Sequence, residues 1–335
     1  PGGHVEMDGR EQSAFRRGVM KSFRTSIAVA ALALLAGGAV AAEEATTQRA
    51  VLVTGASSGI GLAIAQKLAD NGFHVYAGAR KAEDLERLDA MDNITSVRLD
   101  VTVQEDIDAA VALVRNAGRG LWGVVNNAGV VSLASLENGP ESAMRFTFDI
   151  NVFGVFRVNQ AFLPLIRESG GRTTSIGSIS GYIVSPGDGG YSASKFALEG
   201  YTDTLAAELA ESGVHVSVVE PGGYKSKIRA KMLAQMLAAD AAGDIELSDE
   251  RRAELVETEY GNKSLKEPDE VADAVLHVMS SDTPKRRYMV TPNAEQAEMT
   301  IRATMQRLLE LNEGQQYSYD RDELIALLDE LLAID

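Results

Sequence analysis

A tyrosine and a lysine stand four residues apart in the run Tyr191-Ser192-Ala193-Ser194-Lys195. Residues at this spacing share one face of a helix, so the phenol and the ammonium group would point the same way. A free phenol has a pKa of about 10, and acid–base chemistry near neutrality requires that value to fall by about 2–3 units. Because a neighbouring ammonium group stabilises phenolate, the pair is predicted to exchange a proton with a substrate. Taken alone, the motif is also compatible with a surface pair that has no role.

Other polar motifs fall beside the predicted strands of the chain. Ser178 ends the strand before Tyr191, and Asn151 lies in the helix that precedes that strand. The run NNAG at 126–129 ends the fourth strand, and the pair PG at 221–222 follows the sixth. Ligands of open α/β sheets bind at the carboxyl ends of the strands. These motifs are therefore predicted to meet in one crevice.

A glycine-rich run, TGASSGIG at 54–61, lies between the first predicted strand and the first predicted helix. Such a turn lets backbone amides approach a pyrophosphate, and the helix N-terminus favours its negative charge. The run therefore predicts a dinucleotide site, whereas the structural alternative is a tight turn that packs a helix on a sheet. The cofactor contacts predicted here are those of Gly55, Ser57, Ser58, Gly59, Ile60 and Gly61.

The elements that must position these residues alternate along the chain from Arg49 onward. Short runs rich in β-branched residues, such as AVLVTG and VHVSVVEPG, are separated by helix-like stretches such as GLAIAQKLADNG. This alternation predicts an α/β fold of the Rossmann type, with a doubly wound parallel sheet of about seven strands and helices on both faces. Gly72, Gly118 and Gly213 are predicted to end three of the helices.

We predict three segments: a targeting segment at 1–45, a Rossmann-type domain at 46–292 and a helical extension at 293–335. A long insertion at about 225–262 would form a substrate lid. It carries Ile228, Met232, Leu233, Met236 and Leu237 at helical spacing. Such a stripe is typical of core packing, and it favours a lipophilic substrate only if it faces the site.

Composition narrows the classes of function. The net charge is −16, and such a surface repels nucleic-acid phosphates and anionic lipid headgroups. The chain contains no cysteine and only four scattered histidines, so neither disulfides nor a metal centre are expected. We therefore expect a small-molecule substrate and no nucleic-acid partner.

The first 45 residues have the order of an export signal. Arg16-Arg17 and Lys21 precede a modest apolar run from Ile27 to Val40, and small residues follow. This order predicts secretion to a bacterial periplasm and resembles a twin-arginine signal. The alternatives are a general secretion signal, which is all that a start at Met20 would leave, an uncleaved membrane anchor, and a cytoplasmic protein.

The joint pattern of TGxxxGxG, NNAG, YxxxK and PG resembles the short-chain dehydrogenase/reductase family. The resemblance is close over residues 49–225 and extends loosely to 292. It implies a tetrad in which Tyr191 exchanges the proton and Ser178 holds the substrate oxygen. Lys195 would lower the tyrosine pKa and bind the nicotinamide ribose, and Asn151 would hold a helix kink and a relaying water.

The resemblance also implies the cofactor. The family's acidic residue at the end of the second strand is replaced by Ala79, which is followed by Arg80. A guanidinium group suits a 2′-phosphate, so NADP(H) is favoured over NAD(H). Asp100 would face the adenine, and Ser226 stands at the family's usual threonine position. The remaining cofactor contacts predicted are those of Val101, Asn127, Ala128, Gly129, Tyr191, Lys195, Pro221 and Gly222.

The predicted function is therefore that of an NADP(H)-dependent oxidoreductase that interconverts a carbonyl and an alcohol. Members of the family commonly pair through two helices that correspond to residues 152–168 and 191–212 of this chain. The resemblance therefore implies a homodimer or homotetramer. The alternatives are a non-catalytic protein that binds nucleotides or apolar ligands on the same fold, and an interaction protein built on the acidic C-terminal helices.

Overall fold

The computed structural model describes residues 48–131, 135–243, 246–254, 256 and 265–333. The predicted targeting segment at 1–45 lies outside these residues. So do residues 244–245, 255 and 257–262 of the predicted lid. All structural statements below refer to the described residues.

Seven parallel strands in the described residues form one sheet in the order β3-β2-β1-β4-β5-β6-β7. This arrangement confirms the predicted Rossmann-type fold. Neighbouring strands pair in register, as in Val51↔Val75 and Val53↔Val125. The strands are β1 (Ala50–Val53), β2 (His74–Ala79), β3 (Ile94–Arg98), β4 (Gly123–Asn126), β5 (Arg172–Ile176), β6 (His215–Pro221) and β7 (Arg287–Val290).

Helices connect successive strands and cover both faces of the sheet. The α-helices are α1 (Gly59–Asp70), α2 (Ala82–Asp89), α3 (Gln104–Asn116), α4 (Glu141–Phe148), α5 (Gly154–Ser169), α6 (Gly189–Glu208), α7 (Lys227–Ala242), α8 (Asp249–Glu254), α9 (Asp269–Ser280), α10 (Ala294–Asn312) and α11 (Arg321–Leu332). A π-helical turn, Asp149–Phe153, separates α4 from α5, and a short 3₁₀ helix, Ile179–Gly181, follows β5.

Alternate residues of each central strand face opposite sides of the sheet, because side chains in a strand have a period of two. Val51 and Val53 pack in a core beneath α1 and α9, whereas Leu52 packs in a second core beneath α3 and α5. All four residues of β1 are buried, as expected for a parallel strand covered on both faces.

The strand order reverses beside β1, since the chain builds β2 and β3 on one side and β4 to β7 on the other. A crevice opens at the carboxyl ends of the strands where such a reversal occurs. The sheet therefore directs the ends of β1, β4, β5 and β6 toward one crevice. The glycine-rich turn, the NNAG run, Ser178 and the PG pair lie at these ends.

Two helices, α7 and α8, occupy the insertion after β6, and α10 and α11 occupy the C-terminal segment. The described side chains of the lid stripe, those of Ile228, Leu233, Met236 and Leu237, are half-buried. No helix in the described part of the chain is both long and apolar enough to span a bilayer.

Candidate active site

The glycine-rich turn runs from β1 to α1. Two of its glycines lie so close to neighbouring atoms that there is no room for a side chain. Gly55 has a φ of +66°, and a Cβ there would lie 2.9 Å from the Ala128 Cα. At Gly61 a Cβ would lie 2.3 Å from the Asn127 Nδ2 and 2.4 Å from the Gly55 carbonyl oxygen. These positions therefore require glycine, because any side chain would push the turn away from the end of β4.

Asn127 and Thr54 hold the turn against β4. The Asn127 Nδ2 donates to the carbonyl oxygens of Thr54 and Gly55, over 2.9 and 3.1 Å. In return, the Thr54 Oγ1 accepts from the backbone amides of Asn127 and Ala128, each over 3.0 Å. These four hydrogen bonds thus hold the two predicted cofactor segments, 55–61 and 127–129, against each other.

The N-terminus of α1 has the chemistry that an anion requires. Ser58 precedes the helix, but its side chain makes no capping hydrogen bond, and the first turn carries no acidic residue. The amides of this turn and the helix dipole therefore favour a bound anion such as a pyrophosphate. Gly59 lies close to Ser226, so the start of α1 faces the segment after β6.

Arg80 and Asp100 lie side by side at the adenosine end predicted for the site. The Arg80 Nη1 is 3.3 Å from the Asp100 Oδ2, and the Arg80 side chain is 60% exposed. Asp100 also accepts from the Thr102 amide and hydroxyl. Although burial acts in the opposite direction, these contacts with Thr102 and Arg80 hold the pKa of Asp100 below its usual range. Val101 is buried and packs against Gly154.

Arg87 is a candidate cofactor residue that the sequence analysis missed. Its Nη2 donates to the carbonyl oxygen of Ser57 over 2.6 Å and to the Asp84 carboxylate over 2.8 Å. The contact joins α2 to the glycine-rich turn across 30 residues. Nothing in the local sequence signals it, because Asp84 and Arg87 alone indicate an ordinary ion pair at helical spacing.

Helix α6 brings Tyr191 and Lys195 together. The Lys195 Nζ lies 5.5 Å from the centroid of the Tyr191 ring and donates to the Ile176 carbonyl oxygen over 2.8 Å. Burial lowers the pKa of Lys195 to about 8, while the Glu199 carboxylate acts in the opposite direction. Ser178 is buried just after β5, where its Oγ accepts from the Ser180 amide over 3.1 Å.

Asn151 lies in the π-helical turn between α4 and α5 and is buried. Its Oδ1 accepts from the Val130 amide, and its Nδ2 donates to the Val130 carbonyl oxygen, each over 2.9 Å. The Nδ2 also donates to the Ser194 Oγ over 3.0 Å. Gly129 lies against the Asn151 Oδ1. The π-helical turn therefore connects the end of β4 to α6.

The segment after β6 is fixed by a residue of the C-terminal extension. Gly222 donates from its amide to the Val290 carbonyl oxygen over 2.8 Å, which continues the pairing that Pro221 makes with β7. The Gly223 amide donates to the Gln296 Oε1, also over 2.8 Å. Gln296 on α10 was not among the predicted site residues, and no local motif indicates this contact.

Contacts thus link the predicted residues in four groups within the described chain. The first joins the glycine-rich turn to 127–129, and the second pairs Arg80 with Asp100. The third joins Asn151 to α6, which carries Tyr191 and Lys195, and the fourth places Ser226 beside Gly59. The arrangement supplies an anion-binding helix end, a phenol and a buried ammonium group. Together these groups could bind a phosphorylated cofactor and exchange a proton beside it.

Known proteins are similar to this chain in sequence and in fold. The chain matches the short chain dehydrogenase family over residues 49–237. It is 36% identical over 249 residues to the uncharacterized oxidoreductase YbbO of Escherichia coli (strain K12), covering 73% of this chain and 86% of YbbO. It is 32% identical over 265 residues to the mitochondrial D-beta-hydroxybutyrate dehydrogenase of Bos taurus, covering 72% of this chain and 76% of that protein.

A solved structure gives the same result. The short chain dehydrogenase of Burkholderia cenocepacia J2315, in complex with NADP, superposes with a TM-score of 0.60 at 25% identity. The match covers 78% of this chain and 95% of that one. The chain is therefore an oxidoreductase that belongs to the short-chain dehydrogenase family.

Proposed function

We propose that the protein is an NADP(H)-dependent oxidoreductase that interconverts a carbonyl and an alcohol, with Tyr191 as the acid and base. The observation that carries the proposal is the position of the buried Lys195 ammonium group, 5.5 Å from the centroid of the Tyr191 ring. A positive charge at this place stabilises phenolate and so prepares Tyr191 for proton exchange near neutrality.

Each member of the tetrad has a separate task in this proposal. NADP(H), when bound, supplies or accepts the hydride. The Tyr191 hydroxyl gives a proton to the carbonyl oxygen during reduction and takes it from the alcohol during oxidation. The Ser178 hydroxyl holds that oxygen by a hydrogen bond. Lys195 orients the nicotinamide ribose, and Asn151 keeps α6 in position through Ser194.

The preference for NADP(H) rests on charge. The Arg80 guanidinium lies at the end of β2, where an acidic residue would repel a 2′-phosphate, and its side chain is largely exposed. The uncapped N-terminus of α1 suits the pyrophosphate. The Burkholderia structure, which is described as a complex with NADP, supports this choice.

The test is to assay a panel of ketones, aldehydes and alcohols. Turnover is monitored through the absorbance of NADPH and, in parallel, of NADH. We expect turnover with NADPH, and we expect Tyr191→Phe to reduce kcat by a factor of about 10² or more. Tyr201→Phe is the matched control, since Tyr201 lies on the same helix but is hydrogen-bonded to Asn159. A folded Tyr191→Phe variant with unchanged turnover, or no turnover of the wild type over the whole panel, would support the non-catalytic alternative.

Self-association belongs to the same proposal. Phe146, Phe153 and Phe156 are each between 46% and 54% exposed around the start of α5, which is part of the predicted pairing surface. A second copy that covers these rings would remove apolar surface from water. Phe156→Asp is expected to convert a dimer or tetramer to monomers in a measurement of molecular mass. A wild-type protein that is monomeric at micromolar concentration would exclude this surface as an interface.

Export is proposed on the sequence alone. A twin-arginine route carries folded proteins, so the enzyme could leave the cytoplasm with NADP(H) already bound at residues 55–61 and at Arg80. Replacing Arg16-Arg17 by Lys-Lys should then retain the protein in the cytoplasm in a fractionation experiment. Unchanged export would exclude the twin-arginine route.

A further inference from the structure

The turn that leads from β7 into α10 packs closely over the two glycines that follow β6. A Cβ at Gly222 would lie 2.3 Å from the Gln296 Oε1, 2.9 Å from the Pro292 Cδ and 3.4 Å from the Thr291 Cα. Position 222 therefore has no room for a side chain. This close approach lets Gln296 reach the next residue, Gly223, whose amide donates to the Gln296 Oε1 over 2.8 Å.

The first turn of α10 holds Gln296 in place. Asn293 precedes the helix, and its Oδ1 accepts from the Gln296 amide over 3.0 Å. One turn later the buried Thr300 donates from its hydroxyl to the Gln296 carbonyl oxygen over 2.8 Å. An asparagine cap of this kind satisfies an amide that the helix itself leaves without a partner. The side chain that reaches Gly223 is thus presented by a well-capped helix end.

The Gly223 amide depends on this one side chain. Of the four main-chain amides at 222–225, those of Gly222, Tyr224 and Lys225 donate to main-chain carbonyl oxygens in the described structure, and only that of Gly223 donates to a side chain. Gly223 is also buried. Because a buried amide without an acceptor is costly, the main chain would have to turn toward another partner if the Gln296 Oε1 were removed.

The segment that Gln296 holds lies on the side of the crevice away from the predicted adenosine end. Arg80 follows β2, the glycine-rich turn follows β1, and residues 222–226 follow β6, on the other side of β1 in the sheet. A dinucleotide bound where the strand order reverses has one half on each side of the reversal. With its adenosine half beside Arg80, its nicotinamide half would extend toward β5 and β6.

A second contact of α10 lies beside the catalytic pair. Three turns after Gln296, the Arg307 guanidinium stacks 4.4 Å from the centroid of the Phe196 ring. Phe196 follows Lys195 directly on α6. Helix α10 therefore contacts both the segment after β6 and the helix that carries the catalytic pair, which are the two walls on the nicotinamide side of the crevice.

We propose that Gln296 is a positioning residue for the nicotinamide half of the cofactor, so that the C-terminal extension forms part of the cofactor site. Gln296 acts through Gly223: while that amide is held, Gly222 and Ser226 keep the positions from which they would contact the nicotinamide. This inference rests on the proposed function, because it assigns to α10 a share in the binding of NADP(H). Loss of the Gln296 acceptor should weaken the nicotinamide side of the site and leave the adenosine side intact.

The experiment compares the binding of two ligands by isothermal titration calorimetry. One is NADPH, and the other is 2′,5′-ADP, which has the adenosine and the 2′-phosphate of NADPH but no nicotinamide half. Gln296→Leu removes the acceptor and nearly preserves the size of the side chain. We expect it to raise the Kd of NADPH about tenfold and to leave that of 2′,5′-ADP almost unchanged.

Gln306→Leu is the matched control. It makes the same substitution on the same helix, at a glutamine that donates to Glu310, and it should leave both dissociation constants unchanged. An unchanged Kd of NADPH in a folded Gln296→Leu protein would overturn the inference. An equal rise for NADPH and 2′,5′-ADP would also overturn it, because such a rise would mean that the whole site is disturbed, and so would an equal rise for NADPH in the control.

If Gln296→Leu does not fold, Gln296→Asn takes its place. This variant withdraws the acceptor by one methylene, so a smaller rise in the Kd of NADPH alone is expected, and no rise overturns the inference. The measurement needs no substrate and is therefore independent of turnover. Tight NADPH binding and turnover by the wild type, together with unchanged binding by the Gln296 variants, would reject only the inference. A wild-type protein that binds no NADPH would reject the proposed function and the inference with it.

Discussion

The side chains of Asn151 and Ser194 are hydrogen-bonded, with the Asn151 Nδ2 3.0 Å from the Ser194 Oγ. Ser194 donates in turn to the Tyr191 carbonyl oxygen over 2.7 Å. One buried amide therefore links the π-helical turn to the stretch of α6 that carries both Tyr191 and Lys195. Asn151 acts on the reaction, in this arrangement, by fixing the helix that presents the catalytic pair.

Asn151→Ala is expected to reduce kcat by at least tenfold while the protein still folds. The substitution leaves the Val130 amide and carbonyl group without their side-chain partner, which costs about 1–3 kcal/mol of stability. Asn159→Ala is the matched control. It removes another buried asparagine, which accepts from Asn126 and Thr173, and should cost similar stability with less effect on kcat. Equal losses of kcat in the two variants would show that Asn151 acts only through stability.

Arg80→Ala is expected to weaken the binding of NADPH by about tenfold and to leave that of NADH almost unchanged. The reason is that only NADPH carries the 2′-phosphate that a guanidinium group can bind. Dissociation constants from the fluorescence of the reduced cofactors measure the difference. Arg98→Ala is the control, because Arg98 is also an exposed arginine paired with an aspartate, Asp106, at the end of the adjacent strand. A parallel loss of NADPH and NADH binding would contradict the prediction.

Two glycine-to-alanine substitutions should change stability in opposite directions. Gly61→Ala places a methyl group 2.3 Å from the Asn127 Nδ2, so we expect a loss of a few kcal/mol and weaker cofactor binding. Gly200→Ala places the same group in open space on α6 and should stabilise the protein by about 0.5–1 kcal/mol. Urea denaturation of both variants measures the difference, and a stable Gly61→Ala protein with normal NADPH binding would contradict the close packing described here.

Glu220→Gln should reduce the dependence of stability on pH. Burial, reinforced by Glu199, raises the folded pKa of Glu220 above its ordinary value of 4.5. As the pH rises above that value, the unfolded chain releases a proton that the folded chain retains, so the free energy of unfolding of the wild type falls. Glutamine does not titrate and removes this decline. The test is to measure the free energy of unfolding of both proteins at about pH 5 and pH 8. Between these two pH values the wild type should lose more stability than the variant, by of the order of 1 kcal/mol. Parallel pH profiles would contradict it.

The sequence predicted the parts of the site whose signals are local. Strand and helix alternation, the TGASSGIG turn and the YxxxK spacing each depend on neighbouring residues, and the seven-stranded Rossmann-type sheet is confirmed. The contacts of Ser57 with Arg87, of Gly223 with Gln296 and of Glu199 with Arg287 join residues 30, 73 and 88 positions apart. Such contacts depend on how helices and strands pack, and an isolated arginine or glutamine resembles any other polar surface residue.

Deletion of residues 314–335 should leave the melting temperature and kcat nearly unchanged. The deleted helix, α11, buries no residue, and a helix of this length has little stability of its own. Deletion of 293–335 is the contrasting variant, since it also removes Gln296, which holds Gly223, and Arg307, which stacks 4.4 Å from the centroid of the Phe196 ring beside Lys195. The longer deletion should lower the melting temperature by several degrees and impair turnover.

The shorter deletion also tests whether the C-terminal helices have an interaction role. Leu328, Leu331 and Leu332 are exposed on α11. A drop in oligomeric mass when these residues are removed would mean that copies of the chain associate through them.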